Sequence, residues 1–171
     1  QFVRDDKGWR ERHISHRNGA LSFGLGPTLP QPALSDRLDD TVDGDLVENC
    51  TPLTGYMHPI SHRIATYGGA ALIIDYGDWR SLGDTLQALI GHKSVDPLTA
   101  PGQCDLTAHV DFEKLALAAS PAKHSRVTPQ GVFLERLGIT QRAHALAKAM
   151  SGTALETHIA AHRRLTHPSE M

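Results

Sequence analysis

Residues 68–78 read GGAALIIDYGD, and this stretch decides the predicted fold. A glycine pair and an apolar run lead directly into Asp75, Tyr76 and Gly77. An apolar run of this length, bounded by turn residues, is typical of a parallel strand that is buried on both faces of an α/β sheet. The sequence therefore predicts a buried strand over residues 70–75.

The residues that end this strand are candidates for function. In open α/β sheets, ligands bind outside the carboxyl ends of the strands, which is where Asp75, Tyr76 and Gly77 are expected to lie. Gly77 would allow a close approach of backbone or ligand. Asp75 could equally cap the next loop and Tyr76 could simply pack, so the functional and the structural interpretation both stay open here.

Composition excludes some classes of protein. A chain of 171 residues is long enough for one domain with its own core. Seventeen basic and 19 acidic residues give a net charge of -2, which argues against a nucleic-acid binder. No apolar run approaches the roughly 20 residues of a membrane span. Cys50 and Cys104 lack C-x-x-C spacing, which favours reduced thiols.

Residues 1–46 predict an antiparallel β-meander followed by a loop rich in proline and aspartate. Asn18 and Gly19, between two strand-like runs, are the strongest short hairpin signal. Residues 27–45 are expected to form a surface loop, because prolines and then acidic residues dominate there. Three alternating apolar residues of the meander are expected to face the core: Leu21, Phe23 and Leu25.

A helix is predicted to follow Pro52, since proline suits the first helical turn. Pro59 lies within the same pattern and predicts a kink or a later start of the helix. Four residues at helical spacing are expected to form its buried stripe: Leu53, Met57, Ile60 and Ile64.

Residues that are common at helix N-termini predict further helices. Asp111 is expected to cap a helix that begins at the next residue. Thr128 followed by Pro129 predicts a second helix start. Thr153 with Glu156 has the spacing of a capping box.

Eleven histidines raise the question of a metal site. His158 and His162 are four residues apart, as are His58 and His62, and one helix face with two imidazoles can bind zinc. The chain has no H-E-x-x-H motif, and no third ligand is evident. Exposed helix histidines without a metal are the favoured interpretation.

Three blocks carry a family resemblance. In this order, GGAALIIDYGD (68–78), GDTLQALIGHKSVDPLTAPGQCDLTAHVDF (83–112) and TPQGVFLERLGI (128–139) closely resemble the second half of the MidA-like proteins. A weaker match, VENCTPLTG, extends the resemblance back to residue 47. This family of class I methyltransferases uses S-adenosylmethionine and includes a mitochondrial arginine methyltransferase that assists assembly of respiratory complex I.

The resemblance implies a partial class I methyltransferase fold, which is Rossmann-like α/β. Residues 1–46 would be an insertion after the fourth strand, and residues 47–171 the C-terminal half of the domain. Residues 70–75 would be the fifth strand, the sixth would lie near 106–110, and helices would occupy 129–165.

By the same resemblance, strands one to four and most of the S-adenosylmethionine site are expected upstream of Gln1. The chain would then be the C-terminal half of a longer protein, and the segment alone is expected to be inactive. The missing half would complete the fold.

The activity implied for the intact protein is methylation of a protein arginine. Carboxylates would orient the guanidinium, which stays protonated in water. We expect the catalytic residues to be Asp75, Tyr76 and Glu48. We expect the substrate pocket to include Gly77, His109 and Asp111.

The implied partner is a protein substrate, such as a respiratory complex I subunit or its bacterial equivalent. The implied location is the bacterial cytoplasm or, alternatively, the mitochondrial matrix. Two other functions stay open: a non-catalytic assembly or scaffold protein with the same fold, and a nucleotide-binding α/β domain of another kind.

Overall fold

A computed structural model describes residues 1–168 of the chain. The chain forms two compact units, Gln1–His124 and a second unit that begins at Ser125. The strands are β1 (Phe2–Asp5), β2 (Gly8–Arg17), β3 (Ala20–Leu29), β4 (Leu46–Val47), β5 (Gly77–Asp78), β6 (Gln87–Ile90), β7 (Lys93–Val95), β8 (Asp105–Thr107) and β9 (Val110–Asp111). The helices are a 3-10 helix (Pro32–Arg37), α1 (Leu53–Tyr67), α2 (Phe112–Ala118), α3 (Gln130–Arg136), α4 (Ile139–Ala147) and α5 (Gly152–Thr166).

The predicted β-meander is confirmed. Its antiparallel sheet has the order β3-β2-β1-β4. Asn18 and Gly19, with φ of 52° and 78°, form the two-residue turn between β2 and β3. Both positive φ values are what a tight hairpin turn requires, which explains the residue types there.

The core of this sheet consists of Trp9, Leu34 and Val47, which are each 1% exposed. The expectation that Leu21, Phe23 and Leu25 face the core is wrong. They lie in the part of the β2–β3 hairpin that extends past the end of β1, where no element of this sheet covers them. One of them, Leu25, is 42% exposed.

The expected surface loop over residues 27–45 is also wrong in part. β3 continues to Leu29, and the 3-10 helix then turns Leu34 and Arg37 inward. The Arg37 guanidinium is buried and pairs with Asp40 at 2.9 Å. The ion pair gives the buried Arg37 a charged partner, while Leu34 packs into the core with Trp9 and Val47.

Residues 70–75 are not part of a β-ladder in this structure. Leu72, Ile73 and Ile74 are 68%, 42% and 68% exposed. Within residues 1–168 no strand pairs with this stretch, and an apolar strand without neighbours cannot be buried. Its place as a fifth strand in the intact protein stays a prediction.

Residues 105–111 belong to two different sheets. β8 pairs antiparallel with β6 in a three-stranded sheet of order β7-β6-β8. β9 instead pairs parallel with β5, with Gly77 opposite Val110. The first unit is therefore mixed α/β, and the stretch that we expected to form one sixth strand is divided.

Helices α1 and α2 share a second core, formed by Met57, Leu115 and Ala119. The helix α1 begins at Leu53 and continues through Pro59, so the later start that Pro59 suggested is wrong. The buried Ser61 hydroxyl donates to main-chain carbonyl oxygens within α1 and beyond α2.

The second unit consists of α3, α4 and α5. A Cβ at Gly131 would meet the backbone of Thr166, so glycine permits the close approach of α3 to the end of α5. The helix start predicted at Thr128 and Pro129 is confirmed, although the N-cap of α3 is Pro129 and not Thr128. The capping box predicted at Thr153 is wrong, because the N-cap of α5 is Ser151. Among the described residues, no helix combines the length and the apolar character needed to cross a membrane.

Candidate functional site

The parallel pairing of β5 with β9 brings the predicted site residues of 75–77 next to those of 109–111. The Val110 amide donates to the Tyr76 carbonyl oxygen at 2.8 Å, which joins the two strands where β5 begins. The rings of Tyr76 and His109 are stacked, with centroids 6.5 Å apart and planes 25° from parallel. Gly77 lies directly beside Val110, as the register requires.

Glu48 follows β4 and is joined to the same edge through Thr85. Its carboxylate accepts hydrogen bonds from the Gln1 side chain at 2.7 Å, from the Thr85 amide at 3.3 Å and from the Thr85 hydroxyl. The Thr85 hydroxyl oxygen in turn accepts from the His109 amide at 2.8 Å. Glu48 therefore helps to position the backbone at His109.

Asp111 is joined to Glu48 by a second route. One oxygen of its carboxylate accepts from the Lys114 amide at 2.9 Å and caps α2, while the other accepts from the Ser81 amide at 3.1 Å. The Ser81 hydroxyl oxygen accepts from the Glu48 amide at 3.0 Å. The N-cap predicted for Asp111 is confirmed.

Residues 81–85, which we call the bridging segment, connect all of these groups. Besides Ser81 and Thr85, the segment contains Gly83, whose amide donates to the Leu46 carbonyl oxygen of β4 at 2.8 Å. One short segment thus bonds to the meander sheet on one side and to the β5–β9 pair on the other.

Asp75 is set apart from this network. Its carboxylate is exposed and accepts from the amide of the next residue, Tyr76, at 2.8 Å. The structure therefore places Glu48, Tyr76, His109 and Asp111 in one connected cluster, while the Asp75 side chain projects into solvent beside it.

An ion pair that no sequence pattern indicated also holds the bridging segment to the meander sheet. Arg12 of β2 contacts Asp84 at 2.5 Å and also donates to the Gln1 side chain at 2.9 Å. Burial opposes ionisation of Asp84, but hydrogen bonds from Arg12 and Gln1 outweigh it and hold the pKa of that carboxyl below its ordinary value. No local pattern signals such contacts, because the partners are 72 and 83 residues apart.

A second charged cluster follows β5. Arg80 donates to Glu113 at 3.0 Å and to Asp40 at 2.8 Å, and these hydrogen bonds raise its pKa. The Trp79 indole also donates to Glu113, at 3.1 Å. Arg80 thus links the segment after β5 to Asp40 and to Glu113 of α2.

The histidine pairs do not form a metal centre in the described part of the chain. The rings of His58 and His62 are 5.1 Å apart, but no group of three or more His, Cys, Asp or Glu side chains among residues 1–168 could hold a metal ion. His158 and His162 instead bond to Ala143 and Thr140 of α4. Cys50 and Cys104 are both free.

Two open clefts lie elsewhere on the first unit, with volumes of about 570 and 350 Å³. The six predicted site residues line neither of them. The smaller cleft borders the candidate site, because Arg12 and Asp84 belong to its lining.

A protein-family model with the description "Putative S-adenosyl-L-methionine-dependent methyltransferase" matches residues 1–130. The match covers the meander, the bridging segment, both strands of the β5–β9 pair and α2. All six predicted site residues fall inside it.

Curated relatives resemble the chain over most or all of its length. The mouse protein arginine methyltransferase NDUFAF7, mitochondrial, is 35% identical over the whole chain and 40% of its own length. The human protein of the same name is 36% identical over 85% of the chain and 34% of its own length. The chain thus spans about 40% of the length of such relatives.

A solved structure agrees with the fold. The crystal structure of a COG1565 superfamily member from Burkholderia thailandensis, bound to S-adenosyl-homocysteine, matches with a TM-score of 0.76 at 26% identity. The match covers 99% of this chain and 46% of that protein.

Proposed function

Because the chain belongs to this family of S-adenosyl-L-methionine-dependent methyltransferases, we propose that the intact protein methylates an arginine side chain of a protein substrate. The names of the curated relatives support the choice of arginine. The chain covers only part of those relatives, so the proposal concerns the protein to which this chain belongs.

This chain contributes to the acceptor side of the reaction. S-adenosylmethionine supplies an electrophilic methyl group when it is bound. The residues described here do not enclose a site for it, since Asp75 and Tyr76 are exposed and neither cleft is lined by the six site residues. We therefore propose that the cofactor is held mainly by the part of the protein that this chain does not include.

The observation that carries the assignment is the stacked pair of Tyr76 and His109 beside the exposed Asp75 carboxylate. An arginine guanidinium is attracted both to aromatic rings and to carboxylates. Asp75 would orient the guanidinium, and the two rings would form one wall of its site. Glu48 would act by positioning, since its carboxylate already accepts hydrogen bonds from Gln1 and Thr85.

We extend the proposal to the partner and its location. The substrate would be a protein such as a respiratory complex I subunit or its bacterial equivalent. The protein would act in the bacterial cytoplasm or, alternatively, in the mitochondrial matrix.

The test compares full-length proteins that carry the Asp75→Asn change or a matched control. We expect Asp75→Asn to lower the rate of arginine methylation about 100-fold, because a positioned carboxylate is lost at the acceptor. Methyl transfer from labelled S-adenosylmethionine to arginine-containing proteins measures it. The control Asp96→Asn also alters an exposed carboxylate that accepts from a nearby amide, at 2.7 Å, and should keep full activity.

Two results would count against the proposal. Full activity of Asp75→Asn would remove Asp75 from the acceptor site. A wild-type protein that binds S-adenosylmethionine but methylates no arginine would favour the scaffold function instead.

A further inference from the structure

The chain changes from one sheet to another at His109. β8 ends at Thr107 in the three-stranded sheet, and β9 begins at Val110 beside β5. His109 lies between the two strands and belongs to neither of their ladders. Backbone amides in folded proteins are nearly always paired, and the acceptor for the His109 amide is the Thr85 hydroxyl oxygen, at 2.8 Å. A side chain, and not a strand, therefore fixes the backbone at this point.

The direction of the Thr85 contacts follows from hydrogen-bond chemistry. The Thr85 hydroxyl donates to one oxygen of the Glu48 carboxylate, and the Thr85 amide donates to the other at 3.3 Å. A carboxylate oxygen accepts and does not donate, so the hydroxyl hydrogen is used toward Glu48 and the hydroxyl oxygen accepts from His109. Threonine is also stiff at its first side-chain torsion, because it is β-branched. The position of the Glu48 carboxylate is therefore transmitted to the His109 backbone through the Thr85 hydroxyl.

Glu48 is itself anchored to the meander sheet. It follows directly on β4, whose Val47 is buried in the core. Its carboxylate accepts from the Gln1 side chain at 2.7 Å, and its amide donates to the Ser81 hydroxyl at 3.0 Å. Because both its backbone and its side chain are held, Glu48 can act as a fixed point from which Thr85 is placed.

At its other end, this chain of hydrogen bonds reaches the stacked ring pair. The amide of Val110, the residue after His109, donates to the Tyr76 carbonyl oxygen at 2.8 Å. Two successive amides are thus bound, one to Thr85 and one to the residue whose ring stacks on His109, with centroids 6.5 Å apart. Loss of the bond at His109 would release the backbone that carries one ring of the pair.

We propose that Thr85 is a positioning residue of the acceptor site, and that its hydroxyl holds His109 in the stack with Tyr76. The contacts that carry this proposal all join residues of this chain, so they do not depend on what the rest of the intact protein covers. The proposal rests on the proposed function, in which the two rings form one wall of the site for the arginine guanidinium. Thr85 would act through His109 and would not itself touch the substrate.

Thr85→Val in the full-length protein tests the role of the hydroxyl. Valine has nearly the shape of threonine but has no hydroxyl, so the side-chain bonds to Glu48 and His109 are lost together. We expect kcat/KM for the acceptor to fall about tenfold, mainly through a higher KM, because one wall of the binding site is no longer held. Thr85→Ser keeps the hydroxyl and should restore most of the loss. The rates are measured with methyl-labelled S-adenosylmethionine and with the member of a library of arginine-containing peptides and proteins that the wild type methylates best.

A second measurement reports the position of His109 without activity. Hydrogen exchange of the His109 amide can be followed by nuclear magnetic resonance in protein that is isotope-labelled at histidine. Exchange should become about tenfold faster in Thr85→Val, because the amide loses its acceptor, and should return toward the wild-type rate in Thr85→Ser.

Thr28→Val is the matched control. Thr28 is also a half-buried threonine of the first unit whose hydroxyl donates to a carboxylate, that of Asp5, at 3.0 Å. Its substitution should lower stability by a similar amount but leave both kcat/KM and the exchange of the His109 amide unchanged.

The outcomes separate this proposal from the proposed function. A wild-type value of kcat/KM in Thr85→Val overturns the positioning role, as does unchanged exchange at His109 or a Thr85→Ser variant as impaired as Thr85→Val. An equal loss of kcat/KM in Thr28→Val also overturns it, since reduced stability would then explain the effect. A wild-type protein that methylates no member of the library overturns the proposed arginine methylation instead, and exchange at His109 then decides by itself whether Thr85 positions that residue.

Discussion

At Gly77, a Cβ atom would collide with the backbone of Val110. The sequence predicted that this glycine permits a close approach, and the approaching group is the neighbouring strand β9. The roles of Glu48 and Thr85 could not be predicted in this way, because their contacts join residues 37 positions apart without a local pattern. A glycine in a sequence can indicate that another group approaches its backbone closely, whereas the presence of a carboxylate does not indicate which groups it binds.

Gly77→Ala should destabilise the first unit by about 1–3 kcal/mol, the usual cost of forcing an extra methyl group into a packed site. The added Cβ would separate β5 from β9. Urea unfolding of the full-length protein measures the change.

Gly55→Ala is the control, because a Cβ there has nothing within 4 Å and the residue lies in α1. It should be stabilising by about 0.5–1 kcal/mol, the helix preference for alanine over glycine. Equal effects of the two substitutions would contradict the role assigned to Gly77.

Among the helices and strands, the sequence predicted structure well where one or two residues determine a helix start or a turn. Asp111 begins α2 as expected, and the hairpin turn at Asn18 and Gly19 also formed as predicted. The capping box at Thr153 was wrong because α5 begins at Gly152. Residues 70–75 lack a ladder because a parallel strand depends on partners that are distant in sequence, so its own composition cannot produce it.

Asp111→Ala should cost about 1–2 kcal/mol, because it removes the cap of α2 and also the acceptor of the Ser81 amide. Thermal and urea unfolding of the full-length protein measure the loss. Ser151→Ala is matched to it: Ser151 is the N-cap of α5, but its side chain makes no capping hydrogen bond, so stability should be nearly unchanged. A larger loss for Ser151→Ala would show that capping does not explain the effect at Asp111.

At the scale of the whole first unit, three ion pairs that include an aspartate join segments that are far apart in sequence. They are Asp36 with Lys114, Asp40 with Arg80, and Asp84 with Arg12. In each case burial opposes ionisation of the carboxyl, but hydrogen bonds outweigh burial and lower its pKa: from Lys114 to Asp36, from Arg37 and then Arg80 to Asp40, and from Arg12 and Gln1 to Asp84. These long-range pairs could not be predicted from the sequence, although the mixed α/β class could.

Acid should therefore destabilise the first unit. A carboxyl with a lowered pKa in the folded state contributes stability that is complete above its unfolded pKa of 3.8 and is lost as pH falls through the folded value. We expect the melting temperature to decrease at pH values lower than about 4. The decrease should be modest, because these carboxylates are partly exposed to solvent.

Asp40→Asn should reduce the acid dependence, since it removes one of the carboxyls with a lowered pKa. Melting curves from pH 3 to 7 compare it with Asp105→Asn, an exposed aspartate of β8. If Asp40→Asn loses stability in acid as steeply as the wild type, the ion pair with Arg37 and Arg80 does not cause the dependence.

The contacts of the bridging segment limit where the chain can tolerate insertions and deletions. Its amides and hydroxyls bond to Leu46 and Glu48 on one side and to His109 and Asp111 on the other, all within five residues. One inserted or deleted residue would move half of these groups out of reach of their partners. A hairpin tip such as that at Asn18 has no such double attachment. Natural length variation should therefore concentrate at the tips and avoid residues 81–85.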